Sequence, residues 1–139
     1  MIATPKWLDI AFGEVGVSEV PGPGANPRIV EYDACTTLKS TSDEVPWCSA
    51  FLCWVMEQAG EPSTRSAMAR SWTNYGIPAV PVVGCVTVLR RGSNPAQGHV
   101  GLLLDRHDGW VYLLSGNTGN RVEVARFPES DVLSYRLPE

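Results

Sequence analysis

The chain has 139 residues, a formal charge of −4, 44% hydrophobic residues and 19% charged ones. That is the size of one domain with apolar material for a single core, so a disordered tail is excluded. The acidic balance argues against an electrostatic grip on nucleic acid or anionic lipid. No apolar stretch approaches the roughly 20 residues of a membrane-spanning helix, so no membrane insertion is expected. The opening segment has no basic start before an unbroken apolar run, and Asp9 and Glu14 interrupt it, so no signal peptide is expected either.

Taken in chain order, the first periodic run is Pro5 to Val15, with Trp7, Ile10, Ala11 and Val15 on one helical face. A Gly- and Pro-rich loop follows and ends at Asn26, an N-cap with Pro27 at the first helical position; it opens a short helix to about Leu38. Thr36 to Pro46 is polar and reads as a surface loop. The segment from Pro46 to Gly60 (PWCSAFLCWVMEQAG) begins after a proline and stops at a glycine. It is apolar nearly all round, which predicts a helix running through the core. A weaker helix is expected over Ser66 to Tyr75. After Pro78, the runs CVTVLRR, HVGLLLD, WVYLLSG and RVEVARF are separated by Gly, Asn, Asp and Ser, the pattern of antiparallel strands. Helices first and strands second predict an α+β fold, N-terminal helices on a C-terminal antiparallel sheet, as a single domain over 1–139.

Chemistry near neutral pH has few candidates, because the chain holds only two histidines. His107 falls in the polar turn DRHDG and is expected to face solvent. His99 opens GHVGLLL, on a strand apolar enough to bury it, where its ring nitrogens need partners. Cys48 stands in the first turn of the core helix, where unpaired N–H groups and the helix dipole favour a thiolate and lower its pKa. The other cysteines, Cys35, Cys53 and Cys85, read as small buried hydrophobes and as thiols rather than a disulfide framework. Neither CxxC nor HExxH occurs, so no metal and no cofactor are expected.

Strand arithmetic supplies a third residue. If HVGLLLD and WVYLLSG form a hairpin with His107, Asp108 and Gly109 as a three-residue loop, Arg106 faces Trp110 and His99 lies opposite Asn117. A one-residue slip would put Gly116 or Thr118 there instead. Cys48, His99 and Asn117 would then be nucleophile, base and orienter, the logic of thiol hydrolases.

The elements PWCSAF, GHVG and Gly116-Asn117, together with Asn26-Pro27-Arg28-Ile29-Val30-Glu31-Tyr32, resemble the NlpC/P60 and CHAP superfamily of papain-like cysteine hydrolases. The nearest resemblance is to a compact, often phage-encoded endolysin-like branch. The resemblance implies a papain-like fold and a peptidoglycan hydrolase, an endopeptidase or an N-acetylmuramoyl-L-alanine amidase. It implies Cys48 as nucleophile, His99 as base and acid, Asn117 as third residue and the backbone N–H of Cys48 in the oxyanion hole. It also suggests Tyr32 and Trp47 as substrate-binding groups. Cys85 departs from the pattern, standing where such proteins often carry an acidic residue. Alternatives are a non-catalytic wall- or protein-binding module of the same fold, or a protein deamidase or acyltransferase. A monomer is expected, made in the cytoplasm and reaching the wall through a holin or a secretion system.

Overall fold

The computed structural model describes residues 4–20, 25–37, 47–95 and 97–139. Three helices precede a sheet: α1 (Lys6–Phe12), α2 (Pro27–Ala34) and α3 (Cys48–Gln58). The strands are β1 (Ile77–Pro78), β2 (Val86–Arg90), β3 (Gly98–His107), β4 (Trp110–Thr118), β5 (Arg121–Pro128) and β6 (Val132–Leu137). They form one six-stranded sheet in the order β1-β6-β2-β3-β4-β5 with every pair antiparallel. This is the α+β architecture that the helix and strand patterns predict, and it agrees with a papain-like fold.

Each helix forms for a local reason. The Asn26 side chain accepts a hydrogen bond from the Arg28 N–H at 2.8 Å, and Pro27 takes the first helical position of α2. Helix α3 ends at Gln58 with Ala59 as its cap, and Gly60 beyond it turns the chain away at a φ of +80°, the left-handed conformation that glycine adopts without a Cβ penalty. Helix α1 is shorter than its periodicity predicts: it stops at Phe12, leaving Val15 48% exposed while Leu8 and Ala11 carry the buried face. The helix expected over Ser66 to Tyr75 is a single 3-10 turn, Ala69–Trp72. Trp72 anchors it, fully buried, its indole N–H donating to Ser49 Oγ at 2.8 Å. The loop expected from Thr36 to Pro46 lies outside the described residues from position 38 onward.

Alternation along the strands splits the core in two. Val86, Val88, Val100, Leu102 and Leu114 turn toward the helices and pack with Phe51, Leu52, Val55 and Met56 of α3. Cys85, Leu89, Leu103, Val111 and Leu113 form a second cluster, with Phe127 and Tyr135 packed against it. Two strands escaped the sequence pattern. β1 has only two residues, and β6 (VLSYRL) is half-buried with no clean alternation.

The β3–β4 hairpin departs from the expected loop. Its turn has two residues, Asp108 and Gly109, both at positive φ, and His107 pairs with Trp110. A bulge between Leu103 and Asp105 then shifts the register, so that Leu102 pairs with Leu114. The inner part of the hairpin therefore recovers the alignment that a three-residue loop would have produced.

Helix α3 is seated on this hairpin at one close contact. A Cβ at Gly116 would lie 2.7 Å from the Phe51 Cβ and 2.9 Å from the Trp47 ring. Only glycine lets the first turn of α3 approach β4 this closely.

Candidate active site

Cys48 is the first residue of α3, 7% exposed, with its thiol against the backbone N–H of Val100 on β3. The fold thus carries the sulfur to the residue that follows His99. Burial pushes the Cys48 thiol up, against the lowering expected from a helix N-terminus. The N–H groups of Val100, Ser49 and Cys48 itself, together with the Arg91 guanidinium, pull it the other way.

His99 is 4% exposed and pairs with Leu89 of β2, and its ring centroid lies 4.9 Å from that of Phe127. Ahead of it, Arg70 Nε donates to the Gln97 carbonyl at 2.7 Å and holds the entry to β3. Burial and the nearby Arg91 charge push the His99 imidazole down to about 4, so the ring is neutral at pH 7. Arg91 acts on both groups, while the His99 ring packs on the Phe127 side of the sheet and Cys48 belongs to the cluster under the helices.

The two ring nitrogens differ. Nε2 is hydrogen-bonded to Ser115 Oγ at 2.8 Å. Nδ1 is buried without a hydrogen-bond partner among the described residues. Ser115 is fully buried and is in turn hydrogen-bonded to Thr118 Oγ1 at 2.9 Å.

The pairs of β3 with β4 run from the turn to Leu102–Leu114, and none joins His99 to Asn117. Asn117, at a φ of +56°, stands outside the pairs of β4 with β5, at a bulge between Ser115 and Thr118. Ser115, two residues earlier, reaches His99 diagonally across the hairpin instead. The sequence carried a signal for this only in the alternation Leu113–Ser115, which sets the serine on the same sheet face as Leu113.

Tyr32 and Trp47, expected at the substrate, are both fully buried. The Tyr32 hydroxyl donates to Glu14 at 2.7 Å, and its ring packs on Trp47, Phe51 and Trp54. Arg28 pairs with the same Glu14 at 3.0 Å. The Trp47 indole N–H donates to Glu19 at 3.0 Å. Their polar atoms are engaged by carboxylates of the N-terminal segment, and both rings belong to the core cluster that includes Cys48.

His107 is exposed beside Asp105, as its polar surroundings predict. All four cysteines are free thiols; Cys53 and Cys85 are buried, whereas Cys35 is only half-buried. Among the described residues, no three His, Cys, Asp or Glu side chains converge to hold a metal ion. No helix among them is long and apolar enough to cross a membrane. An apolar cleft of about 780 Å³ beside Trp7, Val82, Val83 and Leu137 includes neither Cys48 nor His99.

The model of the CHAP domain family matches residues 40–117, more than half of the chain. CHAP domains are typically hydrolases that cleave peptidoglycan and act on the cell wall. No curated protein matches the chain.

Proposed function

As the chain belongs to the CHAP domain family, we propose that it cleaves an amide bond in the peptide part of peptidoglycan, with Cys48 as nucleophile and His99 as base. One observation carries this reading. The thiol at the start of α3 lies against the N–H of Val100, the residue after His99, and the His99 imidazole has one nitrogen engaged and the other buried without a partner among the described residues. An unengaged, neutral Nδ1 is the atom suited to take a proton from sulfur.

In the resting pair both groups are neutral, since burial raises the thiol and lowers the imidazole. As Cys48 Sγ attacks the amide carbon, His99 Nδ1 takes the thiol proton. The carbonyl oxygen gains negative charge at the N-terminus of α3, where the Cys48 N–H and the helix dipole stabilise it. His99 then delivers the proton to the leaving amine, and the C–N bond breaks to leave a thioester on Cys48. Water, deprotonated by the same nitrogen, hydrolyses the thioester and restores the thiol. The whole chain works as one catalytic domain in this reading, as an endopeptidase or an N-acetylmuramoyl-L-alanine amidase.

Digestion of purified peptidoglycan by the wild type and by Cys48→Ala tests the proposal, with products weighed by mass spectrometry. Soluble fragments are expected from the wild type alone, and the new terminus identifies the bond. Equal cleavage by both proteins would remove the thiol from the mechanism. A wild type that binds peptidoglycan without releasing fragments would make the domain a wall-binding module.

A further inference from the structure

A base that must accept a proton at Nδ1 has to carry its own hydrogen on Nε2, and something must hold that tautomer. Next to Nε2 the structure offers a hydroxyl and not a carboxylate or an amide. Ser115 Oγ is 2.8 Å from His99 Nε2 and 2.9 Å from Thr118 Oγ1. The β4 bulge makes this possible, because it returns Thr118 to the side of Ser115 while displacing Asn117 from the ladder.

We propose that Ser115 is the positioning residue for His99, and that Thr118 supports it in a neutral hydroxyl relay. This rests on the catalytic pairing of Cys48 and His99 set out above. His99 Nε2–H donates to Ser115 Oγ, and the Ser115 hydroxyl donates to Thr118 Oγ1. With its hydrogen directed to Thr118, Ser115 presents only a lone pair to the ring. That fixes the tautomer whose Nδ1 is open. The relay is uncharged, so it orients the imidazole without holding an imidazolium as a carboxylate would. Space also favours serine: a Cβ at Gly101 would lie 2.8 Å from the Ser115 Cβ, so the strands are drawn tightly together here.

The chain's two histidines make the test clean, since exposed His107 serves as an internal reference for His99 in nitrogen-15 NMR. The wild type is expected to show His99 protonated on Nε2. In Ser115→Ala the two tautomers should mix, with kcat on peptidoglycan reduced about tenfold or more at unchanged KM. Thr118→Val, which keeps shape and removes only the second hydroxyl, should fall between them, with an unchanged circular dichroism spectrum. Ser115→Asp should raise the pH at which His99 titrates and move the acid limb of the rate profile upward with it.

Alkylation of Cys48 by iodoacetamide supplies a readout independent of peptidoglycan, and it should slow in Ser115→Ala. If alkylation follows Ser115 while the wild type releases no wall fragments, the relay stands and the substrate assignment fails. A folded Ser115→Ala that keeps the wild-type tautomer, alkylation rate and kcat would overturn the relay.

Discussion

At the scale of single residues, the proposed mechanism rests on two buried neutral groups, which set its acid sensitivity as well. His99 is held at about 4 by burial and Arg91, whereas a free imidazole titrates at 6.5. Below about pH 4 the ring is protonated and cannot take the thiol proton, so kcat/KM should fall there and not near 6.5. A rate profile between pH 3 and 8 checks this, and an acid limb at 6.5 would show a solvated histidine. The same shift governs stability. The unfolded chain binds a proton on His99 more readily than the folded one, so its stabilising contribution is complete above 6.5. It drains as pH falls toward 4, by roughly 3 kcal/mol in all. Urea unfolding across that window should show a steeper acid loss for the wild type than for His99→Gln.

Residue scale is also where the sequence was most and least readable. Cys48 could be found because a proline, a helix start and an apolar run converge on it. His99 could be found because a polar residue opened an apolar strand between glycines. The hydrogen bond from His99 to Ser115 could not, because two bulges lie around it. The one at Leu103/Asp105 offsets the two-residue turn, and the one at Ser115/Thr118, between β4 and β5, holds Asn117 out of those pairs. A bulge adds a residue to one strand without marking it in composition, so counting from the turn cannot place side chains beyond it. The burial of Tyr32 and Trp47 was not legible for a related reason. Aromatic rings flanking a nucleophile look the same in sequence whether they line a cleft or, as here, close over Glu14 and Glu19 beneath it.

At the scale of elements, the proposed site depends on how closely α3 sits on the β3–β4 hairpin. Gly116 is the contact point, with Phe51 and Trp47 where its side chain would be. Gly116→Ala must push the first turn of α3 away from β4. The expected cost is about 1–3 kcal/mol of stability, with a further loss of kcat from the displaced thiol. Thermal unfolding and peptidoglycan turnover measured on the same preparation check both halves. Wild-type values for both would mean that the contact does not set the site. Helix α2 contributes at longer range by carrying Tyr32 and Arg28 to Glu14. Its cap is local: Asn26→Ala removes the acceptor for the Arg28 N–H and should cost about 1 kcal/mol while leaving the pH profile in place. A displaced acid limb in that variant would tie the helix directly to His99. The helices with strong end signals were legible from sequence, whereas β1 and β6 were not. A two-residue strand and a half-buried one have too little alternation to stand out.

At the scale of the whole molecule, the proposed mechanism draws on two distant stretches of chain: Cys48 from the helical half as nucleophile and His99 from the sheet as base. Neither half holds both groups, so activity and folding should be lost together. CHAP membership makes the chain a cell-wall hydrolase in general terms, and the Cys48–His99 pair is what the proposed mechanism adds. The most direct measurement follows the two together in the native protein. Iodoacetamide is added in steps, and at each step the fraction of Cys48 modified is read by peptide mass and the remaining peptidoglycan cleavage is assayed. The account predicts that activity falls in one-to-one proportion to Cys48 modification, while buried Cys53 and Cys85 stay unmodified. Cleavage that survives complete alkylation of Cys48 would contradict it.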